Sequence, residues 1–306
     1  YFGDKISPLS DTTNLASAMA NVDLIKHIKY MLYTTIPSII ISLVLFLILG
    51  FNFSGNIDTN DINKIISTIE TNFHIGPELF ITPLIMGMLI FKKVPAFPTL
   101  FIGTILGAVT ALLFQEKVIS NISETTILSG LTYYKVILQA MFGEITIGSD
   151  LLSSKGMFGM LNTVWLIICA MIFGGVMEKA GFLKIIANTI MTKAKSNASL
   201  VTSTAGSCMF FNLTASDQYL AIVVPGRMYK DMYQKRKLSP ENLSRTLEDT
   251  GTVTSVLIPW NTCGAYQASV LGVATISYLP FCFFNIISPF MTLLYAYAKI
   301  RIKKLS

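Results

Sequence analysis

Residues 247–266 read LEDTGTVTSVLIPWNTCGAY, and this stretch decides the fold. It opens a run, residues 250–298, that contains no Asp, Glu, Lys, Arg or His. A helix needs roughly 20 apolar residues to cross a bilayer, so the run has room for two crossings. The first crossing nevertheless carries Thr250, Gly251, Thr252, Thr254, Ser255, Pro259, Asn261, Thr262 and Gly264. Pro259 has no N–H to donate and disrupts the turn before it. Polar groups at a break inside a span are tolerated where they face protein or a watery cavity. Membrane transporters build ion sites from such broken helices, using freed carbonyls and hydroxyls. A kinked helix whose Thr and Ser hydroxyls bond back to their own backbone fits this stretch alone equally well. Two further stretches of the same kind favour the ion site.

Composition agrees with a membrane protein. The 306 residues are 52% hydrophobic and 13% charged, with a mean hydropathy of +0.60. Such a chain spans a membrane several times. The net charge of +6 reads as positively charged cytoplasmic loops. A nucleic-acid partner would require a basic, aromatic-rich soluble surface, which is not evident. Cys169, Cys208, Cys263 and Cys282 sit in apolar segments without a CxxC and read as small buried thiols. His27 and His74 fall outside the long apolar runs, which argues against a histidine-based metal or nucleophile site. The chain opens Tyr-Phe-Gly-Asp, as if in the middle of a polar membrane segment. It shows no signal-peptide pattern, and an upstream portion is expected.

In chain order, residues 3–14, GDKISPLSDTTN, pack polar side chains around Pro8, and residues 11–14 also suit a helix N-cap. Residues 30–53 form a clean span, preceded by Lys26 and Lys29 and followed by Asp58, Asp61 and Glu70. The positive-inside rule places Lys26 in the cytoplasm and Asp58 outside. Residues 78–91 return to Lys92-Lys93, and residues 99–114 run out again. Residues 115–155 are a long outer region whose YYKVILQAMFGEI suits an interfacial helix. Residues 156–177 span inward, with Gly174-Gly175 allowing close helix packing. FLKIIANTIMTKA then reads as a short amphipathic helix. Residues 199–225 hold one charge, Asp217, within an NLTASDQ interruption, and both flanks are basic. A re-entrant hairpin keeps both flanks inside; a full crossing with a wetted tip is the competing reading. In the hairpin, Asp217 lies at membrane depth, where an ionisable side chain is costly and functional by default.

The pattern Gly3-x3-Ser7-x-Leu9 recurs as Gly251-x3-Ser255-x-Leu257, and each copy is followed by a clean span. The two copies run in opposite directions by the charge rule, as inverted-topology repeats do. The expected fold is an all-α polytopic membrane protein, one transmembrane transporter domain over residues 1–306, with broken helices and a re-entrant hairpin. Residues 1–53 are the end of the first repeat, and residues 77–306 the second.

GDKISPLSDTTNLAS, ASDQYLAIVVPGRMY and SRTLEDTGTVTSVLIPWNTCGAY together resemble the signature segments of NhaC-type sodium/proton antiporters. That group is similar to the malate/lactate sodium–proton exchangers of the ion-transporter superfamily. The resemblance implies a multi-pass antiporter of the bacterial inner membrane, and Lys299, Arg301, Lys303 and Lys304 place the C-terminus in the cytoplasm by the charge rule. On that reading the chain is not an enzyme and takes no cofactor; sodium and protons are the cargo.

Sodium is a hard cation that takes oxygen ligands, like calcium and magnesium. The candidate ion-binding residues are Asp217 and Asp11, the amides Asn212, Asn14 and Asn261, and the hydroxyls Ser7, Thr12, Thr214, Thr254 and Thr262. Na+ is placed at Asp217 and Asp11, with Asp217 ranked first because Asp11 suits a cap. Asp4 and Asp249 are weaker candidates, Asp249 reading as a mouth residue beside Arg245. An organic-acid exchanger of the malate/lactate type is the alternative; it needs a cation for the substrate carboxylate, and Lys5 is the one near a break. An intramembrane protease would need a nucleophile–base pair, paired aspartates or a zinc motif, and HExxH and GxSxG do not occur. Partners are membrane lipid and the transported ions, without nucleic acid and with a homo-oligomer left open.

Overall fold

The computed structural model describes residues 1–306 except 9, 53–58, 93, 124–128, 148, 183, 184, 186–188, 190, 191, 193 and 306. In chain order the helices are α1 (Phe2–Ile6), α2 (Asp11–Ala20), α3 (Leu24–Asn52), α4 (Thr59–Asn72), α5 (Ile81–Phe91), α6 (Ala96–Phe114), α7 (Glu116–Ser123) and α8 (Gly130–Phe142). A β-hairpin of β1 (Ile145–Ile147) and β2 (Ser149–Ser154) follows. Then come α9 (Gly156–Gly159), α10 (Leu161–Lys179), α11 (Asn197–Thr214), α12 (Gln218–Lys235), α13 (Pro240–Leu247), α14 (Thr262–Leu271), α15 (Thr275–Tyr278) and α16 (Phe283–Tyr297). The chain divides into two compact units, residues 1–53 with 163–306, and residues 54–162.

By length and composition, Leu24–Phe51, Phe97–Phe114 and Gly156–Met177 each suffice to cross a membrane. Two bent pairs, Ile62–Asn72 with Pro77–Phe91 and Thr275–Phe281 with Phe283–Tyr297, raise the spans to five if each counts as one. The expectation that the chain is a helical membrane protein holds. The β-hairpin departs from a strictly all-α fold and lies in the region read as an outer loop.

In the larger unit, α3 is inside out relative to a soluble helix. Thr34, Thr35, Ser38 and Ser42 are buried, while Ile40, Leu43, Val44 and Leu47 are exposed. In a bilayer the solvent is hydrocarbon, so apolar side chains need no burial and polar ones do. Ser38 and Ser42 donate to the carbonyls of Thr34 and Ser38, at 2.7 Å each, which satisfies the hydroxyls inside the helix. The helix starts about two turns before the expected residue 30 and so takes in His27, which is completely buried. The reading that His27 lies outside the spans is therefore corrected, since the candidate span runs from Leu24 to Phe51: Lys26 and Lys29 share its turns, and charge masked a helical start.

The helices α11 and α12 form an antiparallel hairpin. Ser207 meets Tyr229 at 2.9 Å and Thr204 meets Tyr233 at 3.3 Å. The turn passes through Ser216 with φ 60°, a left-handed conformation that costs a non-glycine residue energy. Leu200, Cys208, Ile222, Tyr229, Leu243 and Leu247 build the core of this unit, with Ala16 and Ala20 of α2. The close packing expected at Gly174-Gly175 occurs at Gly174, where a Cβ would lie 2.8 Å from the Ala215 carbonyl oxygen. Only glycine lets α10 approach the hairpin turn this closely. The expected buried thiols hold for Cys208 alone: Cys169 is exposed, and Cys263 and Cys282 are half-buried.

In the smaller unit, Thr82 of α5 and Thr110 of α6 share a hydrogen bond of 2.8 Å. The segment YYKVILQAMF is helical as α8, and GEI leads into β1. Most of FLKIIANTIMTKA, together with Asp58 of the sidedness argument, lies outside the described residues.

Candidate functional site

Three interruptions of helical backbone meet in the larger unit: residues 7, 8 and 10 between α1 and α2, residues 215–217 between α11 and α12, and residues 248–261 between α13 and α14. The third begins as a π-helical turn, Glu248–Thr252, and continues as a 3₁₀ turn, Ser255–Leu257. Such π turns inside helices are uncommon and cluster at functional sites.

The hairpin turn is tied to the third break. Asn212 donates to the Gly251 carbonyl at 2.6 Å and to Thr254 Oγ1 at 3.0 Å. Asn261 donates back to the Asn212 carbonyl and Oδ1, both at 3.1 Å. The Thr262 N–H reaches the Ser216 carbonyl at 3.0 Å. Trp260 Nε1 donates to the Leu213 carbonyl at 2.8 Å. These bonds take up the backbone groups that broken helices leave unpaired. Asn212, Thr254 and Asn261 are thus brought together as mutual partners.

The first break is tied to the π turn. Thr12 Oγ1 donates to Glu248 Oε1 at 3.3 Å and lies 3.0 Å from Ser10 Oγ, which donates to Asp4 Oδ1 at 2.7 Å. Lys5 pairs with Asp249 and donates to Ser288 at 2.9 Å. Thr292 donates to the other Asp249 oxygen. Lys5, Thr12, Glu248, Asp249, Ser288 and Thr292 are all fully buried.

The remaining candidates are spread around this junction. Asp217 is buried and is the N-cap of α12, its Oδ1 accepting the Leu220 N–H at 2.9 Å. The cap of α2 is Ser10, not Asp11, which is exposed and takes a hydrogen bond from the Tyr219 hydroxyl. The capping role thus falls to Asp217, the reverse of the sequence reading, because Ser10 precedes the first helical turn. Asn14 is exposed and donates to the carbonyls of Pro8 at 2.9 Å and Ser10 at 2.6 Å, closing the first break. Thr214 bonds back to the Phe210 carbonyl at 2.7 Å. Thr262 is half-buried and donates to Asn261 Oδ1 at 3.3 Å, and Ser7 is half-buried at the first break. Asp249 pairs with Lys5, and the neighbouring Arg245 makes no hydrogen bond to it.

Glu248, Arg245 and His27 were missed. Glu248 stands beside Asp249 in the opening stretch, and helical continuation backward from Thr250 would have drawn both into the buried segment. Its Oε2 and the Thr252 hydroxyl, one turn on, are buried and face each other, and neither makes a hydrogen bond of normal geometry. Arg245 is fully buried, with Nε, Nη1 and Nη2 unpartnered, its guanidinium 4.7 Å from the Tyr30 ring centroid and 5.9 Å from that of Tyr295. His27 Nδ1 meets Ser244 at 2.8 Å. Among the described residues no three His, Cys, Asp or Glu side chains form a transition-metal cluster. The chemistry on offer is a buried carboxylate among hydroxyls, suited to a hard cation or a proton.

The Na+/H+ antiporter family matches residues 1–300. The chain is 36% identical over 306 residues to a Na(+)/H(+) antiporter NhaC of Alkalihalophilus pseudofirmus, covering 99% of this chain and 64% of that protein. It is 34% identical to a Na(+)/H(+) antiporter NhaC of Bacillus subtilis, covering 97% of this chain and 64% of the relative. It is 35% identical to a Malate-2H(+)/Na(+)-lactate antiporter of Bacillus subtilis, covering 97% of this chain and 62% of the relative. The chain thus spans a little under two thirds of each of these proteins. No solved structure gives a significant match.

Proposed function

The chain belongs to the Na+/H+ antiporter family, and from that premise we propose that the protein it forms exchanges sodium for protons as a secondary antiporter. The observation that carries the reading is Glu248. Its carboxyl group is fully buried on a π turn, and Lys5 is already committed to Asp249. Among the described residues no cation pairs with Glu248. An uncompensated buried carboxylate costs several kcal/mol, so something must neutralise it. A proton does so by bonding to an oxygen. Sodium does so with Thr12, Thr252 and neighbouring carbonyls completing an oxygen shell. The two cannot occupy the same carboxylate together, and that exclusion is exchange.

Asp217, with Asn212, Thr214, Thr254, Asn261 and Thr262, borders the same junction and is proposed to contribute to the ion path, as are Asp11, Ser7, Thr12 and Asn14 at the first break. The helix–break–helix–span order of α1 to α3 recurs from Gly251 to α16, which supports an inverted repeat. The antiparallel α11–α12 pair between basic flanks supports a re-entrant hairpin. On this reading the protein lies in the bacterial inner membrane, acts as a carrier and not an enzyme, needs no cofactor, and has its C-terminus in the cytoplasm. The test is sodium-dependent collapse of an imposed pH gradient in everted vesicles carrying the whole protein. Glu248→Gln, of the same shape but without the titrating group, is expected to abolish it while membrane assembly persists. Normal sodium-driven proton flux in that variant would overturn the assignment.

One observation favours the organic-acid alternative. Lys5 is taken by Asp249 and Ser288, but the unpartnered Arg245 offers a guanidinium to a carboxylate. Lactate or malate uptake that Arg245→Lys removes would support it.

A further inference from the structure

The larger unit holds a cavity of about 470 Å³ lined by Lys26, Lys29, Tyr33, Arg301, Lys303 and Glu241, with Tyr30 and Ile302. Lys303 pairs with Glu241, so three cations, Lys26, Lys29 and Arg301, are left without a carboxylate inside the cavity. Lys26 and Lys29 stand on the first turns of α3, the start of an apolar span. The cavity is therefore at the level where a span leaves the hydrocarbon.

The chain after α16 is built to form the other wall. Lys299 and Arg301 adopt φ of 57° and 49°, left-handed values that are costly for residues with a Cβ. Hydrogen bonds hold the backbone there. The Tyr30 hydroxyl donates to the Arg301 carbonyl. Asn242 Nδ2 and the Ser239 N–H donate to the Lys303 carbonyl at 2.7 and 3.0 Å. The Arg301 guanidinium is thereby placed 4.7 Å from the Tyr33 ring centroid.

Beyond Tyr33, the same face of α3 continues as Ile36, Ile40, Leu43 and Leu47, all exposed. These positions recur at three- and four-residue steps, forming an apolar track that leads away from the cavity. A ligand matching both halves has an anionic head and long hydrocarbon tails.

We propose that this cavity binds the phosphate headgroup of an anionic phospholipid, with Lys26, Lys29 and Arg301 around the phosphate and the acyl chains along Ile36, Ile40 and Leu43. Basic pockets beside spans recognise such headgroups. A zwitterionic lipid brings an ammonium or trimethylammonium group that the surplus cations repel, so anionic lipid is preferred. This proposal rests on α3 crossing the membrane and is independent of which ion is carried.

Detergent-purified whole protein is titrated with phosphatidylglycerol, phosphatidylcholine, inorganic phosphate and glycerol phosphate. Bound lipid is counted by native mass spectrometry, and the thermal unfolding midpoint is followed. The expected result is binding of phosphatidylglycerol roughly tenfold or more tighter than phosphatidylcholine, with a raised midpoint, and loss of most of that preference in Lys29→Gln/Arg301→Gln. Lys29→Arg should keep the preference, and Lys117→Gln/Lys135→Gln, outside the cavity, should not alter it. If the first variant fails to fold, Lys26→Gln/Lys29→Gln, both exposed, is read instead. Equal binding of the two lipids, or a preference that survives loss of the cavity's cations, overturns the proposal. Millimolar inorganic or glycerol phosphate displacing the lipid completely assigns the cavity to a soluble anion and equally overturns it.

Discussion

Lys5 Nζ and Asp249 form an ion pair in which both side chains are completely shielded from solvent. The pair joins α1 to the π turn, and Ser288 and Thr292 extend it to α16. It also clamps the first and third breaks beside Glu248. Burial gives such a pair little net stability, but removing one partner leaves the other charged and uncompensated.

Lys5→Met and Asp249→Asn are each expected to lower stability by about 3–5 kcal/mol. The double variant leaves no lone charge and should recover much of that loss. Thermal or denaturant unfolding in detergent, arranged as a double-mutant cycle, measures the coupling. Strictly additive losses would show that the two residues do not act as a pair.

Asp217→Asn separates capping from ion handling. Asn caps a helix about as well as Asp, so the α12 N-terminus should keep its stability. If the carboxylate takes part in exchange, sodium-driven proton flux should fall at least tenfold while the unfolding midpoint holds. Asp217→Ala should in addition cost about 1 kcal/mol through the lost cap. Flux unaffected by Asp217→Asn would leave Asp217 as a cap only.

Gly264→Ala should destabilise the third break. A Cβ there would lie 2.0 Å from the Ile258 carbonyl oxygen, a backbone atom that cannot swing aside. Overpacking of this kind costs about 1–3 kcal/mol. Gly206→Ala in α11 is the comparison, since nothing lies within 4 Å of its Cβ position, and it should be neutral or stabilising. Equal midpoints for the two variants would contradict the close approach.

Glu241 and Lys303 lie outside the apolar spans and predict an acid-side pH dependence. Burial pushes the Glu241 carboxyl up, but hydrogen bonds from Lys303 and Ser239 outweigh it and hold it below its ordinary 4.5. A depressed carboxyl stabilises the fold above its unfolded value and loses that contribution as pH falls through the folded value. The contribution is thus intact at neutral pH, begins to fall near pH 4.5 and is gone below the folded value. Lys303, raised by its bond to Glu241, contributes fully below 10.5 and loses its share above that. Unfolding midpoints of the natural protein and Glu241→Gln, followed from pH 7 down, should converge in acid. Parallel curves would argue against the pair.

From the sequence alone came the helical membrane class, the break around Pro259, an interruption before Gln218, which the structure narrows from Asn212–Asp217 to residues 215–217, and the polar stretch before α2. These are local matters: proline lacks a donor, hydrocarbon rejects charge, and long uncharged runs have the length of a span. Asn212, Thr254 and Asn261 were legible as candidates because polar side chains at membrane depth are few. What the tertiary structure decided was partnership. Lys5 was legible as a cation, but only packing shows that Asp249 occupies it, hundreds of residues away in sequence. Asp11 and Asp217 exchange their capping roles because the start of a helix depends on which residue leaves the extended backbone. Glu248 and Arg245 were hidden at the edge of a charged loop in the sequence. Thr12 of α2 meets Glu248, Tyr30 of α3 and Tyr295 of α16 flank Arg245, and both charges are fully buried; whether a charge is wet or buried is a property of everything packed around it.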